Sequence, residues 1–336
     1  MHNQRYGIAA PLDGRHGDRY SARTMTTPTL ILHHYDTSPF SEKFRLVLGL
    51  KGLAWRSVKV PRIMPKPDVL ALTGGYRRTP FLQIGADVYC DTALMCRVVD
   101  TLNPNPPLYP RSASPLQHVL AQWADSALFW TAVPFTMQPA GAAFIFEGAP
   151  PEVVKAFAVD RAAMTQGMRR ATTTDSRTNL VTYLGWLDGL LEDGRPFLLG
   201  AQPCIADFSV VQSLWFIRRA PPVATILEPY ARSEAWRARI AAFGHGTPEP
   251  MTSDAALELA AATRLFAPTR VEPSGALVEG APVTVGATDY GADPVAGTLV
   301  GLNDAEVVIE RRDERAGTVH VHFPRIGFQI KEEKTA

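Results

Sequence analysis

The sequence predicts a multidomain α/β protein, and three observations carry that expectation. The N-terminal part, after a polar start, alternates strand-like and helix-like stretches in the order β-α-β-α-β-β-α. The middle is helical in its apolar spacing, and the C-terminal part runs in short alternating stretches separated by Gly, Pro and Asp turns. The length of 336 residues exceeds one ordinary domain of about 100 to 200 residues, so two or three are expected. Apolar residues make up 46% and charged residues 20%, a mixture able to bury large cores. Lys and Arg total 34 against 33 for Asp and Glu, so no global field would hold the chain on nucleic acid or an acidic membrane, and a small-molecule partner is favoured. The 3 cysteines, Cys90, Cys96 and Cys204, form neither a CxxC pair nor a metal-ligand cluster, and an odd number argues against a disulfide framework. A reducing, cytoplasmic setting fits, since no apolar run approaches the roughly 18 residues of a membrane span and no signal-peptide core is evident.

Residues 1–27 form a polar, patternless leader, expected to be disordered. Its Arg content gives it a weak transit-peptide character, and an extension ahead of an internal start at Met25 is the other explanation. Thr29 to His34 then reads as a short buried strand. Ser38-Pro39 follows as a helix cap with proline at the first helical position, and Phe44, Val47, Leu48 and Leu50 keep an apolar face at helical spacing up to Lys51 and Gly52. Ala54 to Val60 resumes as a strand, which the prolines between Pro61 and Pro67 break. Beyond Gly74-Gly75, Phe81 to Ile84 and Asp87 to Cys90 form two short strands, and a helix opens at Asp91-Thr92 and runs to about Leu102. This order, with a proline at the start of the third strand, is the thioredoxin-like arrangement, here assigned to residues 28–107.

The proline-rich stretch from Asn103 to Pro107 makes a short, stiff linker. Residues 114–266 read as an all-α domain, with helical runs from Leu116 to Trp123, Val153 to Met168, Tyr183 to Leu191 and Asp207 to Ile217. Residues 267–336 read as a small all-β, barrel-like module with strands near Val283 to Val285, Gly297 to Val300, Glu306 to Glu310 and Thr318 to Phe323. So small a module has a modest core and is expected to lean on its neighbour.

The stretch Tyr35-Asp-Thr-Ser38-Pro39-Phe40-Ser-Glu-Lys43-Phe-Arg45-Leu-Val-Leu48 closely resembles the active-site segment of glutathione transferases with a serine or cysteine catalyst, as in tau-, omega- and zeta-like bacterial and fungal members. The resemblance spans about residues 28 to 245 and implies a thioredoxin-like domain followed by the all-α glutathione transferase domain. By it, Ser38 is the catalytic hydroxyl. The physics agrees: a thiol titrates near 8.5, and a hydroxyl donor at the positive end of a helix favours its thiolate, each pKa unit being worth about 1.4 kcal/mol. The plainer alternative is an N-cap serine.

The same resemblance assigns glutathione binding to Phe40, Arg78, Thr79, Pro80, Asp91 and Thr92. Thr79-Pro80 matches the motif whose proline is cis, Thr79 lending its backbone to the cysteinyl part of the tripeptide. Asp91-Thr92 matches the acidic-then-hydroxyl pair at the γ-glutamyl end, with Asp-Thr in place of the usual Glu-Ser. Arg78, better aligned than Arg77, suits the glycine carboxylate as a planar fork. Lys43 and Arg45 are taken as structural. Phe197-Leu-Leu-Gly200-Ala-Gln-Pro203-Cys204-Ile-Ala-Asp207-Phe resembles the opening of the family's central buried helix, with Cys204 replacing a capping hydroxyl, so Asp207 must satisfy that helix start largely alone. The acceptor pocket is expected between the domains at Tyr35, Trp123, Phe129 and Trp130, flat-walled and apolar. His320 and His322 share a strand face but lack a third ligand, so no metal is expected and that face is assigned to solvent or a domain interface.

These readings amount to an enzyme that activates the glutathione thiol for attack on a hydrophobic electrophile, with glutathione as co-substrate, and family resemblance implies a homodimer. The alternative is a catalytically silent scaffold whose β module docks a partner. A thioltransferase or dehalogenase ranks lower, because it needs cysteine at position 38.

Overall fold

The computed structural model describes residues 28–273 and 277–333, so the expected leader lies outside the described residues. The N-terminal unit runs β1 (Ile31–His34), α1 (Pro39–Leu50), β2 (Ala54–Lys59), α2 (Pro67–Thr73), β3 (Phe81–Ile84), β4 (Asp87–Cys90) and α3 (Thr92–Leu102). Ser38 holds an extended backbone and its Oγ accepts from the Ser41 N–H at 3.2 Å, while Pro39, which has no N–H to leave unsatisfied, occupies the first helical position. The last turn of α1 is tied to the linker by Lys51, whose ammonium pairs with Asp100 and donates to the Asn103 and Pro106 carbonyls at 2.7 Å each. β1 pairs in parallel with β2 and antiparallel with β3, and β3 pairs antiparallel with β4. This is the thioredoxin-like sheet.

The second unit is helical: α4 (Leu116–Trp123) continues through one π-helical turn, Ala124–Leu128, into α5 (Phe129–Thr136), followed by α6 (Pro139–Ile145), α7 (Pro151–Met164), α8 (Thr173–Leu190), α9 (Ile205–Arg218), α10 (Pro221–Ala224) and α11 (Ala231–Ala241). Nearly all of α9 is buried. Its start is satisfied by the Asp207 carboxylate, which accepts from the backbone N–H groups of Leu198 and Cys204 at 2.9 Å each and from Trp236 Nε1 at 2.7 Å. A single carboxylate takes three donors where the Cys204 thiol is a poor cap. α8 begins ten residues before the predicted start, because its first turns, Thr-Thr-Asp-Ser, are polar and carry no apolar period.

The stretch expected to be helical to about Phe266 contains a strand, β5 (Thr247–Pro250), before α12 (Ser253–Ala262). β5 pairs in parallel with β2. Its two prolines read as loop in the sequence, but an edge strand tolerates proline because one side of it needs no donors. The β module comprises β6 (Pro282–Ala287), β7 (Val295–Leu302), β8 (Glu306–Asp313), β9 (Gly317–Pro324) and β10 (Phe328–Glu332), the last of which the sequence reading missed. The module is not freestanding. β9 pairs in parallel with β4, giving one ten-stranded sheet in the order β10-β6-β7-β8-β9-β4-β3-β1-β2-β5. Both edges of the thioredoxin-like sheet are thereby covered. Val69, Leu72, Tyr76, Phe81 and Val88 of the first unit share a buried core with Val283, Leu299, Val307, Val319, Val321 and Phe323 of the module. Among the described residues no helix is long and apolar enough to cross a membrane.

The β4–β9 seam carries a buried charge cluster. His322 is buried, with Nε2 3.0 Å from Asp87 Oδ1 and Nδ1 3.0 Å from Glu306 Oε2, while His320 stacks on Phe266 at 3.9 Å. Burial alone would lower the His322 pKa, but its bonds to the two carboxylates outweigh burial and raise it. A histidine raised in the folded state stabilises fully below its unfolded value of about 6.5 and loses that contribution as pH rises through the folded pKa. We therefore expect the thermal midpoint to fall more steeply in wild type than in His322→Gln as pH rises through the range above about 6.5. Parallel pH profiles by calorimetry would contradict the assignment.

Candidate functional site

The site lies where α1, the loop before β3, α5 and α7 meet. Ser38 is almost fully buried, and its Oγ lies 3.4 Å from the Thr79 carbonyl oxygen. That is long for an O–H···O hydrogen bond, so the hydroxyl can turn to another acceptor at small cost. The Thr79–Pro80 peptide is cis. Beyond Ser38 opens a cavity of about 1110 Å³, lined by Tyr35, Phe40, Phe129, Trp130, Phe146 and Phe157 among others. Phe40 packs on Phe129 with ring centroids 4.7 Å apart, and Phe146 on Phe157 at 5.2 Å. Among the described residues no carboxylate lines this cavity, whereas Arg62, Lys66, Arg161 and Arg219 do.

A second cavity, of about 220 Å³, is lined by Pro80, Asp91, Thr92, Lys43 and Asp125. Asp91 caps α3, its Oδ1 accepting from the Ala93 N–H at 2.9 Å, and takes φ +71, a left-handed conformation uncommon outside glycine and worth explaining by function. Phe40, Arg78 and Thr79 line both cavities and form the seam between them.

Ten of the eleven site residues expected from sequence thus face one cavity or the other: Tyr35, Ser38, Phe40, Arg78, Thr79, Pro80, Asp91, Thr92, Phe129 and Trp130. Trp123 lines neither. It packs edge-on against Tyr183 with centroids 5.1 Å apart, partly buried against the helical core. The cause is the π turn between the two tryptophans: in a continuous α-helix Trp123 and Trp130 would share a face, and the wider turn of Ala124–Leu128 breaks that alignment. Arg78 is also engaged differently from the expected carboxylate fork. It is buried, and its terminal nitrogen pairs with the Asp289 carboxylate and the Tyr290 carbonyl of the β module. Arg77 pairs with Asp160 of α7. Nothing in the sequence signals either partner.

Lys66 was missed by the sequence reading. Nearly buried, it donates from Nζ to the Arg77 carbonyl and to Thr79 Oγ1, at 3.2 Å each, and has no carboxylate partner among the described residues. Burial, and next the charge of Arg161, lower its pKa to about 8. Its signal was available: a lone lysine between Pro65 and Pro67 is held on a stiff loop directly after β2. Arg161 was also missed, because α7 carries it by a contact with the Arg62 carbonyl at 2.9 Å that spans the two units.

The three cysteines are buried, and burial pushes the Cys96 thiol up to about 12. None lines the large cavity. Among the described residues no group of three His, Cys, Asp or Glu side chains could hold a metal ion.

Residues 32–107 match the glutathione S-transferase N-terminal domain and residues 158–239 the glutathione S-transferase C-terminal domain. A GST-like protein from Pseudomonas syringae, of known crystal structure, is 40% identical over 92% of this chain and 100% of that one, with a TM-score of 0.75. The chain belongs to the glutathione S-transferase family. Coverage of that extent takes in most of the β module. Glutathione transferase GSTFuA3 from Phanerochaete chrysosporium, 17% identical over 65% of this chain and 98% of its own, with a TM-score of 0.52, shares the fold. No match was found among curated proteins.

One buried ion pair borders the small cavity. Lys43, on α1, is wholly buried with its ammonium 2.6 Å from Asp125 in the π turn, and Asp125 also accepts from Ser209 at 3.1 Å and Gln212 at 2.7 Å. Removing one partner leaves the other charge buried and alone, so Asp125→Ala is expected to cost about 3 to 5 kcal/mol in denaturant unfolding. Lys43→Met combined with Asp125→Leu should recover most of that loss, and a strictly additive double variant would refute the coupling.

Proposed function

We propose that the chain is a glutathione transferase that binds glutathione across the seam, stabilises its thiolate with the Ser38 hydroxyl and presents it to a hydrophobic electrophile in the large cavity. The observation that carries the reading is the position of Ser38: a nearly buried hydroxyl at the start of α1, loosely engaged with the Thr79 carbonyl, at the head of an aromatic cavity. In the reaction a carbon–sulfur bond forms as the thiolate attacks, the leaving group departs with its electron pair, and the thiol proton goes to solvent. A hydrogen bond to sulfur and the helix N-terminus both favour the anion. No covalent enzyme intermediate is needed.

In this reading the γ-glutamyl end lies at Asp91 and Thr92 in the small cavity, the cysteinyl part beside the Thr79 backbone and Pro80, and Phe40 against the thiol. The glycine carboxylate goes to Lys66 rather than to the engaged fork of Arg78, because Lys66 is a buried cation with no carboxylate of its own. Tyr35, Phe129 and Trp130 wall the acceptor. A cytoplasmic location and a homodimer are part of the same reading, the homodimer being supported by the exposed Leu116 and Val119 on α4. The scaffold alternative draws on one observation, the engagement of Arg78 by the β module. Thioltransferase chemistry lacks a cysteine in the large cavity.

With glutathione and a generic aryl halide, Ser38→Ala is expected to lower kcat/KM by about a hundredfold while the protein still binds glutathione, the scale of losing one preorganised donor. Wild-type binding without turnover across a broad panel of electrophiles would favour the scaffold, and Ser38→Cys should gain thioltransferase activity. Lys66 supplies a pH test. Its ammonium is lost as pH rises through about 8 in the free enzyme. The kcat/KM for glutathione should therefore decline there in wild type, and Lys66→Met should start lower and lack that step. Identical profiles would remove Lys66 from the carboxylate site.

A further inference from the structure

The turn between β6 and β7 reaches out of the β module into the seam of the site. The guanidinium of Arg78, paired with Asp289, lies 3.9 Å from the centroid of the Tyr290 ring. That ring also meets Trp130 edge-on, with centroids 4.9 Å apart. Gly291 donates its N–H to the Met164 carbonyl at the end of α7, at 2.7 Å, and takes φ +51, where a side chain would be strained and would meet Met164 Cε at 3.2 Å. One turn therefore touches the loop before β3, α5 and α7. None of the residues of α7 is fully buried, so this bond, the Arg77–Asp160 ion pair and the contact of Arg161 with the Arg62 carbonyl are among the ties that hold α7 over the cavity.

Tyr290 lines both cavities, as Phe40, Arg78 and Thr79 do. Any ligand extending from Asp91 and Thr92 in the small cavity to Ser38 in the large one must cross these four residues. Beside the Tyr290 ring two buried donors have no acceptor among the described residues: the Nε–H of Arg78 and the Nε1–H of Trp130. A segment whose task was only to fill the seam would satisfy them, since buried donors without partners are costly. Their availability fits a ligand that carries carbonyl oxygens at this point, which is what a peptide presents. Burial, the largest influence, raises the Tyr290 pKa, so its phenol stays neutral and acts through its ring rather than as a base.

We propose that Tyr290 is a clasp contributed by the β module, a positioning residue that closes over the middle of bound glutathione while the free N–H groups of Arg78 and Trp130 meet its carbonyl oxygens. This rests on the glutathione reading above. It gives the module a role in the reaction: the site is completed by a part of the chain outside the thioredoxin-like and helical units.

The test is calorimetric titration of glutathione into the full-length wild type, Tyr290→Phe and Tyr290→Ala, with hydrogen exchange read at residues 288–292. Tyr290→Phe should bind within about twofold of wild type and Tyr290→Ala about tenfold more weakly, a difference on the scale of one well-placed contact. Glutathione should slow exchange in the wild-type turn, which a merely structural tyrosine would not produce. If Tyr290→Ala does not fold, Asp289→Asn, which frees the Arg78 fork but keeps the ring, should still weaken binding several-fold. Wild-type binding matched or exceeded by Tyr290→Ala, or by Asp289→Asn in its place, overturns the clasp alone. Absence of binding in wild type and variants alike overturns the glutathione reading and the clasp with it.

Discussion

Lys43 sits without solvent exposure in the joint between the thioredoxin-like unit and the helical domain, its ammonium against Asp125. A buried pair repays the cost of leaving water only when its remaining hydrogen-bonding positions are filled, and Ser209 and Gln212 of α9 fill those of Asp125. Four elements are thereby locked together: α1, which carries Ser38 five residues before Lys43, the π turn, α5 just beyond it, and α9. The position of the hydroxyl relative to Phe129 and Trp130 follows from that lock. The π turn serves it too, because it brings Asp125 to Lys43 while α5 turns its aromatic residues toward the cavity.

The β module bears on the site by a different route. β9 completes the exposed side of β4, and Asp87, His322 and Glu306 fasten the seam with hydrogen bonds. With β9 fixed there, the β6–β7 turn falls over the loop before β3, where Asp289 takes the fork of Arg78. Two carboxylates from outside the N-terminal unit, Asp160 and Asp289, thus claim the adjacent arginines Arg77 and Arg78. Lys66, which also lines the large cavity, is reached by neither of these carboxylates.

Local chemistry made the first unit legible. The Ser38-Pro39 cap, the tight turn between β3 and β4 and the Asp91 cap are each decided within a few residues, and the observed strands β3 and β4 start and stop where turn residues demand. What escaped depends on distant partners. β5 is a strand only because β2 offers an edge that tolerates two prolines. Trp123 left the pocket because a π turn, which no composition signals, lies between it and Trp130. The engagement of Arg78 depends on a residue more than two hundred positions later, in a module whose docking on β4 short-range pattern cannot reveal. The Ser38 segment was readable because it packs a hydroxyl, a helix start and a proline into consecutive residues, whereas the rest of the site is assembled from widely separated stretches of chain.

The central claim is that Ser38 lowers the pKa of a bound thiol. The direct measurement is titration of glutathione bound to wild type and to Ser38→Ala, following the ultraviolet absorbance of the thiolate. The account predicts a thiol that ionises about one to two units below the free value near 8.5 in wild type and returns most of the way to it in Ser38→Ala. A bound thiol that titrates at its free value in wild type, or one equally depressed without the serine hydroxyl, would contradict it.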